Sequence, residues 1–225
     1  MNHIDAVRAD LQRMLTTGVW VPGSEEVIVS PSGRFQLKTA NVSVPNELPN
    51  WLLTKAEVFR AESVEAIFSF LINDDRGFFS WAEARGSEYL ISAEDLFGGQ
   101  SIFNLTNGTK AGYSPGEDGF IWTDHYASPD GKTLAVIGCF WACPFVIKLL
   151  DFTNPMTLPL PEIREIDLLD NDEIILNWID DTSFRTKGIK RKREWGDNGE
   201  GLLVIEEIPM ERTIYLDGRI VEQVI

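Results

Sequence analysis

Cysteine is scarce in this chain, with two in 225 residues, and histidine is equally scarce. A structural zinc site wants four ligands, commonly in closely spaced pairs. Cys139 and Cys143 have only His3 and His125 to complete such a set, and His3 sits near the terminus. Three residues separate the cysteines, where a dithiol redox motif has two. The plainer expectation is that both thiols pack as small apolar groups between Trp141 and Phe145. Metal binding or a disulfide at Cys139 and Cys143 is the sharper alternative.

Other absences exclude whole classes. No apolar run approaches the roughly 20 residues needed to cross a bilayer, and Met1 to Thr17 holds no secretory apolar core. The expected setting is therefore the cytoplasm, with no membrane partner and with reduced thiols. No Gly-x-Gly-x-x-Gly, no phosphate-binding Gly-x-x-x-x-Gly-Lys and no Gly-x-Ser-x-Gly elbow occurs. Neither a nucleotide nor any other cofactor is expected. Basic residues are in deficit, 20 against 35 acidic, for a net charge of −15. That balance repels nucleic acid over most of the surface and favours a basic protein partner.

What the chain does hold is turn chemistry between short apolar runs. Asn107-Gly108 and Asp217-Gly218 are hairpin signals, and seven Trp with 13 Phe favour sheets over helical bundles. Ser92 to Asp95 reads as a single helical turn. Asp170-Asn171-Asp172 reads as the turn of a hairpin between residues 163–169 and 173–179. Near the N-terminus Ile4, Val7, Leu11 and Met14 or Leu15 recur at helical spacing, which predicts an amphipathic helix over residues 3–16 that covers a sheet. The strand pattern starts after it; Val64 to Ile72 reads as one strand with Val64, Ala66, Phe68, Phe70 and Ile72 on its buried face. No βαβ alternation appears. The fold class is mainly β, built of antiparallel hairpins, propeller-like or sandwich-like, with one N-terminal amphipathic helix. One domain over 1–225 is expected, with a soft boundary near 154–161, where proline is dense.

Ser128-Pro129-Asp130-Gly131-Lys132 precedes the apolar run Thr133 to Gly138, and Ile147-Lys148-Leu149-Leu150-Asp151 closes the next. This stretch resembles a blade of a WD40- or TolB-like β-propeller, with a weaker echo at Ser30-Pro31-Ser32-Gly33-Arg34. The longer string, including Gly138 to Pro144 and Leu158 to Glu162, resembles uncharacterised bacterial proteins. The resemblance implies a binding scaffold and not a reaction.

Two constellations carry candidate chemistry. Asp124-His125 is a carboxylate–imidazole neighbour pair, and His125 could serve as a general base for a hydrolase with loop carboxylates Glu117, Asp118 and Asp130, with or without a metal. Adjacent strand residues face opposite ways, however, so a structural His125 is the plainer reading. Arg185, Lys187, Lys190, Arg191, Lys192 and Arg193 place six cations within nine positions; the remainder then holds 14 basic against 35 acidic residues, a net of −21. That strand is either a patch for phosphate or acid, or an edge strand guarded against pairing. The reading adopted is a non-enzymatic protein-binding module with an acidic surface, in one version an immunity or inhibitor protein acting on a basic partner. Its candidate binding residues are Trp122, Asp124, His125, Trp141, Arg191 and Arg193. The alternative is the Asp124/His125 hydrolase.

Overall fold

The computed structural model describes residues 3–44, 52–74, 78–93, 98–115, 119–141, 143–170, 172–195 and 202–225. One helix, α1 (His3–Thr17), precedes seventeen strands among these residues. The strands fall into four antiparallel sheets taken in chain order. The first holds β1 (Val19–Trp20), β2 (Glu26–Val29), β3 (Phe35–Ser43), β4 (Leu52–Arg60) and β5 (Ala66–Ile72). The second holds β6 (Phe78–Ala84), β7 (Ser87–Ala93), β8 (Gln100–Asn104) and β9 (Thr109–Tyr113). The third holds β10 (Ile121–Ala127), β11 (Thr133–Cys139), β12 (Val146–Asp151) and β13 (Glu162–Asp167). The fourth holds β14 (Ile174–Asp180), β15 (Ser183–Trp195), β16 (Leu202–Tyr215) and β17 (Ile220–Val224). The last three are plain meanders, each strand pairing with its neighbour in sequence.

Each sheet is apolar on both faces where it has a neighbour, so the sheets stack. Leu37, Val58 and Phe70 of the first meet Leu90 and Phe103 of the second. Phe70 and Phe103 stack with centroids 4.6 Å apart, and Phe68 meets Phe103 edge-on at 4.9 Å. Ile91 and Ile102 turn the other way, onto Trp122, Leu134 and Val136 of the third. Ala135, Ile147 and Leu149 then face Phe184 and Ile214 of the fourth. A five-stranded sheet followed by three four-stranded meanders, packed face to face in chain order, is a propeller-like arrangement. Among the described residues no apolar cluster joins the first sheet to the fourth.

The helix takes the outer face of the first sheet. Leu11, with Val7, Met14 and Leu15 beside it, covers Val42, Leu53 and Leu71. The helical spacing thus buries the expected face.

Two turns repeat atom for atom. In Ser30–Phe35 the Ser30 N–H donates to the Phe35 carbonyl (2.9 Å) and the Gly33 N–H to the Ser30 carbonyl (2.8 Å). In Ser128–Thr133 the equivalent bonds are 2.8 and 2.9 Å. The serine hydroxyl oxygen also accepts from the N–H of Phe35 (3.2 Å) or Thr133 (3.0 Å). Both glycines need positive φ, 73° and 65°. Gly131 is further constrained, because a Cβ there would lie 2.4 Å from the Glu83 carbonyl oxygen in the second sheet.

Three expectations need correction. β13 and β14 do not form a hairpin: β13 pairs with β12, β14 pairs with β15, and the acidic segment between them carries the chain from one sheet to the next. Ser92 and Ala93 end strand β7, and the helical turn expected over Ser92 to Asp95 runs into Glu94 and Asp95, which lie outside the described residues. Val64 is 94% exposed in a turn, and its strand starts at Ala66. The basic strand β15 is an edge only beyond Lys187, where β14 stops; before that it is flanked on both sides.

Candidate functional site

Strand β10 carries the Asp124-His125 pair, and a bulge decides where each side chain goes. The register against β11 slips between Trp122 and Asp124. Such a bulge adds one residue and changes the alternation of faces. Trp122 and His125 therefore share the face toward the second sheet, 2% and 1% exposed, with rings 5.8 Å apart. The imidazole Nδ1 is hydrogen-bonded to the Ser80 hydroxyl on β6. Nε2 is buried with no hydrogen-bond partner among the described residues. Desolvation lowers the His125 pKa to about 4, so the ring is neutral at physiological pH.

Asp124 stands apart from that ring. One carboxylate oxygen accepts from the His125 backbone N–H at 3.0 Å and the other from the Tyr126 hydroxyl at 2.9 Å. Burial raises the Asp124 pKa, and the two hydrogen bonds partly offset it. The Tyr126 phenol is pushed up to about 12, by burial first and then by the Asp124 charge. The carboxylate and the imidazole thus sit in separate networks, and the carboxylate does not orient the ring. Glu117 and Asp118 lie outside the described residues. Asp130 bonds to the Ser128 hydroxyl and pairs with Lys132 in its own turn.

The cysteines are free thiols at the opposite end of β11. Cys139 is half-buried, and burial raises its pKa, with a smaller contribution from Cys143. Cys143 is exposed, and Trp141 between them is 64% exposed. Among the described residues no group of three or more His, Cys, Asp or Glu side chains is placed to hold a metal ion.

The basic strand is met by carboxylates. Arg191 reaches Asp170 (3.0 Å), Asp172 (2.6 Å) and Glu207 (2.8 Å), and Arg193 reaches Asp170 (2.7 Å). Lys190 pairs with Glu222, Arg185 with Glu211 and Lys192 with Glu194. Three carboxylates raise the pKa of Arg191. The cations tie β15 to β16, to β17 and to the β13–β14 crossing, so most of their charge is answered within the molecule. Beyond Lys187, β15 and β16 run on as a two-stranded ribbon with Trp195 79% exposed and Leu203, Val204 and Ile205 exposed beside it.

Two buried polar locks escape sequence reasoning. Glu88 on β7 accepts from the Ser32 hydroxyl at 2.8 Å and from Arg34 Nη2 at 2.8 Å, tying the first sheet's turn to the second sheet. Glu173 takes a two-pronged pair from Arg212, together with the Thr186 hydroxyl and the Leu169 N–H at 2.6 Å. The partners lie 54 and 39 residues apart, and no local pattern marks them.

No protein-family profile matches the chain. Over 137 residues it is 30% identical to an uncharacterized protein of Acanthamoeba polyphaga mimivirus, which covers 60% of this chain and 53% of that protein. The chain thus spans about half the length of that relative. Among solved structures it aligns with the β-propeller domain of Swd1 from Myceliophteria thermophila at a TM-score of 0.38 and 9% identity, covering 88% of this chain and 81% of that domain. It aligns with TolB from Acinetobacter baumannii at a TM-score of 0.38 and 10% identity, covering 98% of this chain and 57% of TolB. No helix among the described residues is long and apolar enough to cross a membrane.

Proposed function

We propose that this chain is a non-enzymatic protein-binding module that engages a partner with a basic surface. The observation that carries the reading is the β15–β16 ribbon, which holds Trp195, Leu203, Val204 and Ile205 out in solvent beside an acidic body. An exposed tryptophan among aliphatic side chains is the composition of an interface anchor. A net charge of −15 supplies long-range attraction for a basic partner, while four of β15's cations, Arg185, Lys190, Arg191 and Arg193, are met by Asp170, Asp172, Glu207, Glu211 and Glu222. An acidic module of this kind can fill the basic groove of a toxin or a nucleic-acid enzyme, as an immunity or inhibitor protein does. Trp141 offers a second exposed aromatic contact.

The test is affinity capture at low salt, followed by titration with the purified partner. The reading expects affinity that weakens steeply with salt and drops at least tenfold in Trp195→Ser with the fold intact. A partner that binds Trp195→Ser equally well, or none at low salt, defeats it.

A further inference from the structure

Between the first and second sheets lies an open cleft of about 540 Å³, within the roughly 300–1,000 Å³ of small-molecule sites. Gly33, Arg34 and the β4–β5 turn line it from the first sheet, and Thr106 of the β8–β9 turn lines it from the second.

Two opposite charges stand unmet on this cleft. Arg60, the last residue of β4, is paired in register with Phe35 of β3. Its guanidinium carbon lies 5.7 Å from the centroid of that ring, which is itself buried. Arg60 is exposed and lines the cleft, and its side chain makes no hydrogen bond or ion pair among the described residues. Glu62, two residues on, is likewise exposed, lines the cleft and has no side-chain partner among the described residues. Arg34 differs: its Nη2 lies 2.8 Å from the buried Glu88 carboxylate, so its charge is already answered. The Thr106 hydroxyl oxygen accepts from the Glu88 backbone N–H at 3.0 Å, which leaves the hydroxyl proton to donate.

Charge narrows the occupant. An anion gains Arg60 but faces Glu62, and a cation gains Glu62 but faces Arg60. A molecule that carries both signs gains twice. A planar guanidinium matches a carboxylate, and a carboxylate accepts strongly from an ammonium.

We propose that this cleft binds a small zwitterion of the free amino-acid class, with its carboxylate on Arg60 and the Thr106 hydroxyl and its ammonium on Glu62. The site shares no residue with the β15–β16 ribbon. The cleft is open to water, so each contact is worth about as much as an exposed ion pair and binding is millimolar.

Ligand-observed NMR titration of the whole protein with leucine, leucinamide and 4-methylpentanoate tests this. The amide lacks the carboxylate, and the acid lacks the ammonium. A net charge of −15 attracts cationic leucinamide over the whole surface, so bulk charge alone ranks it above leucine. The proposal expects the reverse, with leucine roughly threefold or more tighter than either analogue. Arg60→Gln should erase the preference for leucine over leucinamide. Glu62→Gln should weaken leucine roughly threefold and leave 4-methylpentanoate no weaker. Both positions are exposed, so each variant should keep the wild-type urea midpoint. The proposal is overturned if leucine does not bind at up to about 10 mM, if leucinamide binds wild type as tightly as leucine, or if either variant keeps the wild-type preferences.

Discussion

Arg212 and Glu173 meet side by side in the interior of the fourth sheet, with Nε 2.8 Å from Oε1 and Nη2 2.6 Å from Oε2. Both side chains are sealed from solvent. Arg212 also donates to the Asp167 carbonyl through two nitrogens at 3.1 Å. The pair thereby fastens the end of β13 to the fourth sheet. A buried pair is costly to break from one side, because the surviving charge keeps its desolvation and loses its partner. Glu173→Ala should cost roughly 3–5 kcal/mol in urea unfolding. The double change Glu173→Leu with Arg212→Met should recover most of that loss. Equal losses in the single and double variants would count against this account.

His125 predicts the acid limb of stability. Its folded pKa of about 4 lies below its ordinary value of 6.5, so the folded state resists the proton that the unfolded chain accepts. Stability from this group is complete above pH 6.5 and falls as pH drops through that window to about 4. The shift corresponds to about 3 kcal/mol at 1.36 kcal/mol per unit. His125→Asn should flatten the decline by that order when chemical denaturation is followed from pH 7 to 4. Comparison with the variant removes the opposite slope from Asp124, whose raised pKa favours the folded state as acid is added.

The paired serine turns offer an internal control. Gly33 and Gly131 both have positive φ, which a side chain tolerates at roughly 1–2 kcal/mol. A Cβ at Gly33 meets nothing within 4 Å, whereas one at Gly131 meets the second sheet's backbone. Gly33→Ala should lose roughly 1–2 kcal/mol in thermal or urea unfolding. Gly131→Ala should lose roughly 2–4 kcal/mol, strain and overpacking together.

Arg191 ties the ribbon to the β13–β14 crossing. Arg191→Ala should speed amide hydrogen exchange in 189–195 and 202–208 and leave the β6–β9 sheet unchanged. Uniform change, or none, would show that the three carboxylate contacts do not hold the ribbon down.

The fold class was legible because its signals are local. The alternation from Phe35 onward, the Asp217-Gly218 hairpin and the Leu11 face of the helix each depend on a few consecutive residues. The division into sheets was not. Asp170-Asn171-Asp172 has the chemistry of a hairpin turn, yet turn residues bend the chain equally well whether the next strand pairs back or leaves. The candidate site suffered similarly. Alternation separates Asp124 from His125, as expected, but the bulge that puts Trp122 and His125 on one face has no marker in Ile121 to Ala127.

Among the described residues, every large apolar cluster between sheets joins sheets that are consecutive in the chain. Leu90 and Phe103 meet residues already laid down by position 72, and Phe184 meets strands finished by position 167. A polypeptide leaving the ribosome can therefore complete each layer against the one before it. Along these four sheets, synthesis and folding can run in the same direction.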